Sequence, residues 1–201
     1  MTVAWGDDRG RDGADETHHR REKWIGVYIG VLAVILAVSA MGGGNASKEA
    51  TLKNIEATNV WGFFQAKNMR RHVLRLEIDE LELTALANPA LTAEGRTAIE
   101  SKIADYRKLD AELTSNPKTG EGLDELFNRG KALEADRDTA MLKDPYFDYG
   151  QALLQIAIVL GGVAIISGGA AMLVTSAVMG ALGTLMTLNG FTLFLDLPFI
   201  G

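Results

Sequence analysis

Two stretches of this chain carry no charge at all, Trp24 to Ser47 and Tyr149 to Leu195, and between them charged and apolar positions alternate at helical spacing. The second stretch includes QALLQIAIVLGGVAIISGGAAMLVTSAVMGALGTLMTLNGFTLFL and is about twice the roughly 20 residues that one bilayer crossing needs. It predicts two membrane helices, residues 150–167 and 170–195, with the break at Ser167 to Ala171 (SGGAA). The first stretch follows RREK (Arg20 to Lys23) with an apolar run from Trp24 to Met41, and Gly42 to Asn45 extend it without charge. That predicts a crossing over residues 24–44. A basic flank, an apolar core and the small residues Val38, Ser39 and Ala40 also suit a cleavable signal, and Arg20-Arg21 hints at a twin-arginine signal that the following residues fit poorly. We expect a retained anchor.

Gly42-Gly43-Gly44 is expected to break or loosen the helix at the membrane surface. From Ala46 to Ala87 there is no proline and a single glycine, Gly62, which predicts a helix of about 42 residues, roughly 63 Å long at 1.5 Å per residue. Ala66, Met69, Val73, Leu76, Leu83 and Ala87 form one apolar stripe, interrupted by Glu80. Val60, Phe64, Leu74, Ile78, Leu81 and Ala85 form a second stripe beside it. A helix this long needs partners along its apolar faces. Asn88-Pro89 ends it, and Thr92 with Glu94 opens a second helix that carries Ile99, Ile103, Tyr106 and Leu113 on one face and stops near Ser115. Ser115 to Gly122 (SNPKTGEG) reads as a loop. A third helix from about Leu123 is expected to bury Leu126, Phe127, Gly130, Leu133 and Met141, to kink at Pro145 and to run into the membrane at Gly150.

The fold class that follows is an all-α membrane protein: three transmembrane helices plus a long extramembrane helical hairpin over residues 45–149 with an interrupted return arm. A compact three-helix bundle is the alternative if the loop reverses the chain. The hairpin sets a register in which Lys67, Arg70, Arg71 and Arg75 lie level with Glu121, Asp124 and Glu125. Residues 1–23 read as a disordered cytoplasmic tail, since they are rich in Gly, Asp, Arg and Thr, and residues 196–201 as a C-terminal tail.

Composition narrows the chemistry. With 20 Lys/Arg against 26 Asp/Glu the chain has a net charge of -6, which argues against a nucleic-acid partner. There is no cysteine, hence no disulfide, thiolate metal site or cysteine nucleophile. His18 and His19 sit in the tail and read as solvated side chains rather than metal ligands. His72 has no partner at recognisable spacing, and G-x-x-x-x-G-K-[ST], H-E-x-x-H and G-x-S-x-G are all missing. No enzyme, metal or cofactor is expected. A transporter usually holds ionisable residues within its membrane helices, whereas the polar groups here are Gln151, Gln155, Asn189 and hydroxyls. An oligomeric pore lined by such groups stays open as a second alternative.

Two small-residue faces stand out. Gly26, Gly30, Ala33 and Ala37 repeat along the first crossing, and Ser176, Gly180, Gly183, Thr187 and Gly190 repeat along the last at spacings of four, three, four and three. Such faces let helix backbones approach closely in lipid, within a protomer or between copies. The basic cluster Lys67, Arg70, Arg71 and Arg75 predicts structural ion pairs, and beside Trp61, Phe63 and Phe64 it also admits an anionic ligand. In orientation, Arg20, Arg21 and Lys23 favour a cytoplasmic N-terminus, which puts the helical region in the periplasm of a bacterial inner membrane.

WGFFQAKNMRRH (Trp61 to His72) and LLQIAIVL (Leu153 to Leu160) resemble a family of bacterial membrane proteins defined by a domain of unknown function, DUF4337. The residues that carry the resemblance most specifically are Trp61, Phe64, Gln65, Ala66 and Lys67, in a W-x-x-F-Q-A-K pattern. The resemblance implies an N-terminal crossing, a helical extramembrane region and a C-terminal crossing pair; it implies no activity. Between the last two crossings this chain has Ser167-Gly168-Gly169 where relatives often carry arginines. The function expected is structural: a scaffolding element in the bilayer that assembles with itself, or alternatively as an accessory subunit of a larger membrane complex.

Overall fold

In a computed structural model that describes residues 8–195, with side chains from Arg20 onward, every regular element is a helix. The order is α1 (Asp8–Ala87), α2 (Ala93–Thr114), α3 (Leu123–Ser167) and α4 (Ala170–Thr192). Three of these helices, α1, α3 and α4, are long and apolar enough to cross a membrane. The chain divides into two compact units, Met1–Glu49 with Thr139–Gly201, and Ala50–Asp138.

The second unit is a helical hairpin with an interrupted return arm. Thr92 caps α2 by accepting a hydrogen bond from the Gly95 amide at 3.1 Å, and the helix closes at Ser115. Glu125 then accepts from the Ser115 hydroxyl (2.6 Å) and the Asn116 amide (3.0 Å), which ties the loop to the first turn of α3. These bonds, the Ser115 one first, hold its carboxyl below the usual glutamate range. Gly122 has to be glycine here, because a Cβ would lie 2.4 Å from the Asn116 nitrogen. Contacts run antiparallel along the whole unit: Glu82 with Arg107, Arg75 with Asp110, Lys67 with the Glu121 carbonyl, and Lys53 with Asp136. The compact bundle is therefore not formed.

The second stripe of α1 is the one that packs: Val60, Leu74 and Ile78 are buried, as are Ile103 and Leu113 of α2 and Leu126 and Leu133 of α3. The first stripe faces outward. Met69, Val73, Leu76 and Leu83 are all exposed, and so are Phe127 and Met141, which were expected inside. One return arm can cover only one side of a helix, so the other apolar side stays open.

The other unit packs α1 against α3 and α4. Leu32, Leu154 and Ala157 form its centre, with Tyr28, Ile35, Leu36, Ile158 and Met179 around them. Two expectations are corrected here. Helix α1 begins at Asp8, so residues 8–23 are helical rather than an unstructured tail; the earlier residues, and residues 196–201, lie outside the described residues. Gly42-Gly43-Gly44 does not interrupt α1, because Phe147 packs on two of the three glycines: a Cβ on Gly42 would lie 2.5 Å from its ring, and one on Gly43 3.1 Å from its Cβ. Helix α3 is continuous through Pro145, whose nitrogen cannot bond the Met141 carbonyl one turn back.

Candidate functional site

Two clusters foreseen in the sequence take definite form, one in each unit. In the hairpin unit, Arg71 and Arg75 converge on Asp110 of α2, with Arg71 Nε at 3.2 Å and Arg75 Nε and Nη2 at 2.9 and 3.0 Å. The Arg75 hydrogen bond holds the Asp110 carboxyl below its ordinary range, with Arg71 adding to it, and Arg75 is pushed further up in turn. Lys67 donates to the Glu121 backbone carbonyl, as the register expected, and lies 5.3 Å from the Phe63 ring centre. Asp124 and Glu125 are not the partners of the arginines; Glu125 is occupied by the loop. Arg70 faces outward and is not part of this cluster. Arg71 and Arg75 share Asp110 as their partner, which favours the ion-pair reading over an anion site on the hollow lined by Asn68, Arg71, His72 and Arg75.

Asp110 escaped the sequence reading. The usable signal is the connection from Asn88 to Thr92: equal counts outward from its two ends place residue 110 opposite residue 70, next to Arg71.

The W-x-x-F-Q-A-K residues split between two sides of α1. Trp61 and Phe64 pack edge-on to each other at 5.6 Å, and Phe127 of α3 closes the trio at 5.6 Å from Trp61. Gly130 lies beneath the indole, where a Cβ would come within 2.8 Å of the ring. Trp61 Nε1 donates to Glu134 at 2.9 Å, and Lys131 holds the same carboxylate at 2.8 Å. The Lys131 bond first, and then Trp61, keep Glu134 below its usual range. Gln65 and Ala66 face outward.

In the other unit the α4 groove is filled by the chain's own helices. Ser176, Gly180, Gly183, Thr187 and Gly190 are all buried. Large side chains enter where the groove has none: Cβ atoms on Gly180 and Gly190 would fall 3.0 Å from Leu32 and 2.9 Å from Phe147. Two hydrogen-bonded tiers join all three helices. In one, Tyr28 donates to the Ser176 carbonyl at 2.9 Å while the Ser176 hydroxyl donates to the Ala157 carbonyl at 2.6 Å. In the other, Thr187 reaches Ser39 at 3.1 Å, and Ser39 the Phe147 carbonyl at 3.3 Å. No buried side-chain polar atom lacks a partner among the described residues, as a low-dielectric core requires. Asn189 clasps both backbone groups of Leu195, at 2.9 and 2.8 Å, closing the end of α4.

The small face of α1 behaves oppositely. Gly26, Gly30, Ala33 and Ala37 are exposed or only half-buried, and no atom lies within 4 Å of a Cβ built on either glycine.

The described residues form two all-α units, a helical hairpin and a three-helix core, and three of the helices are long and apolar enough to cross a membrane. Residues 21–193 match the family described as a domain of unknown function (DUF4337), and the chain belongs to it. No curated protein and no solved structure matches the chain.

Proposed function

We propose that this is an integral protein of the bacterial inner membrane that serves as a structural scaffold, assembling with copies of itself through helix–helix contacts. Its N-terminus lies in the cytoplasm and the hairpin unit in the periplasm, the sidedness that Arg20, Arg21 and Lys23 favour. The observation that carries the reading is the contrast between the two small-residue faces. The α4 groove is consumed within the protomer, while the Gly26, Gly30, Ala33 and Ala37 face of α1 is left open. In lipid such a face associates by close van der Waals packing, since lipid tails already satisfy apolar side chains.

The reading predicts that Gly30→Leu combined with Ala37→Leu lowers the native mass in gentle detergent toward a single chain. The unfolding midpoint should stay near that of the parent, because neither position is buried. An unaltered native mass would remove this face from the assembly.

A further inference from the structure

In the hairpin unit α1 bears two apolar faces, and the chain covers one. The return arm takes Ala57, Val60, Phe64, Leu74 and Ile78. Away from the return arm, Leu52, Ile55, Met69, Val73, Leu76 and Leu83 stand half to two-thirds exposed, on a stripe that keeps one face at a 3.5-residue period. Asn59, Gly62, Ala66 and Glu80 fill the remaining places in an unbroken three-four alternation from Leu52 to Leu83, all of them exposed. That is a heptad pattern: residues 52, 59, 66, 73 and 80 occupy one seam position (a) and residues 55, 62, 69, 76 and 83 the other (d). Seven of these ten seam positions are apolar, the exceptions being Asn59, Gly62 and Glu80.

Resting on the self-assembly reading, we propose that this face is the seam of a parallel two-stranded coiled coil between two copies of the chain. Anchoring in one membrane makes copies parallel, and β-branched Val73 at a with Leu76 at d favours two strands, although Leu52 at a with Ile55 at d leans toward more. Asn59 fits the same occupant. A lone asparagine at an a position can bond to its own counterpart across a parallel pair, which fixes register and strand number at some cost in stability. The flanking positions are compatible with that register. In parallel register each g position meets the e position of the next heptad on the second copy, which pairs Gln65 with Arg70 and His72 with Glu77 and brings no like charges together at the flanks. Arg70, His72 and Glu77 have no partner among the described residues. Glu80 is the one acid in the seam and would face its own counterpart, which weakens the pair at that level.

The chain has no cysteine, so single cysteines report cleanly. In full-length protein in its native membranes, Ile55→Cys and Leu76→Cys, both at d, are each expected to give a covalent dimer on mild oxidation. Asn68→Cys, exposed on another side of α1, should stay monomeric. An antiparallel pair cannot place both residue 55 and residue 76 against themselves, so cross-linking at only one site overturns the parallel seam. Cross-linking at neither site, in protein whose native mass is still that of an oligomer, overturns the seam while the self-assembly reading stands. A single-chain native mass overturns both. Adding Glu80→Leu to the Leu76→Cys variant should raise the dimer fraction several-fold, and no rise contradicts the register.

Discussion

Replacing Phe147 with alanine should cost about 3–5 kcal/mol of unfolding free energy, the range for a buried phenylalanine whose surroundings cannot collapse. The ring is 1 % exposed and crosses Phe191 edge-on at 4.8 Å. It presses on the backbone of α1 at Gly42 and of α4 at Gly190, where Cβ atoms would stand 2.5 and 2.9 Å from it. Neither glycine can fill the space the ring would leave. The bond from Ser39 to the Phe147 carbonyl, and the bond between Thr187 and Ser39, keep the three backbones in place around the hole. Denaturant unfolding of purified protein in detergent measures the loss; a cost below about 1 kcal/mol would mean that the cavity closes, against this packing.

Gly183→Leu should be comparably severe for the opposite reason, too much volume rather than too little. A Cβ there meets the Leu154 Cγ at 2.8 Å and, at 3.0 Å each, the Gly150 carbonyl and the Leu154 nitrogen. Two of these three neighbours are backbone atoms, so α3 and α4 must separate, which puts the cost at or above the upper end of the roughly 1–3 kcal/mol typical of overpacking. Separation also pulls Thr187 away from Ser39. Position matters more than residue type along this groove. Gly180 faces the ends of Tyr28 and Leu32, side chains that can yield, so alanine at Gly180 should cost less than alanine at Gly183. Unfolding midpoints of the two alanine variants give the order directly, and a Gly180 variant at least as damaged as the Gly183 one would contradict it.

What could be read from the sequence was whatever has a local cause. Thr92 as a cap, the stop at Ser115, the loop to Gly122 and the break after Ser167 each depend on a few neighbouring residues, and each falls where expected. The antiparallel return arm was legible because a turn and a loop leave it little freedom. Spacing alone does not name a partner, and that is where the reading fell short. Small residues at intervals of three and four announce that another backbone comes close. They do not tell whether knobs such as Leu32 and Phe147 of the same chain will enter, as on α4, or whether the face will be left open, as on α1. The glycine triplet misled for a related reason: glycine weakens a helix in isolation, but here a ring from α3 takes the vacated space. Asp110 as a partner follows from which side of α1 the return arm chose. Two apolar stripes of similar quality gave no basis for choosing.

The account stands or falls on self-assembly, and the most direct measurement is the native mass of the full-length protein extracted from its own membranes without overexpression. The account predicts a single species at an integral multiple, above one, of 21.6 kDa. A lone 21.6 kDa chain, or a mixed complex in which this chain occurs once beside other proteins, would contradict it.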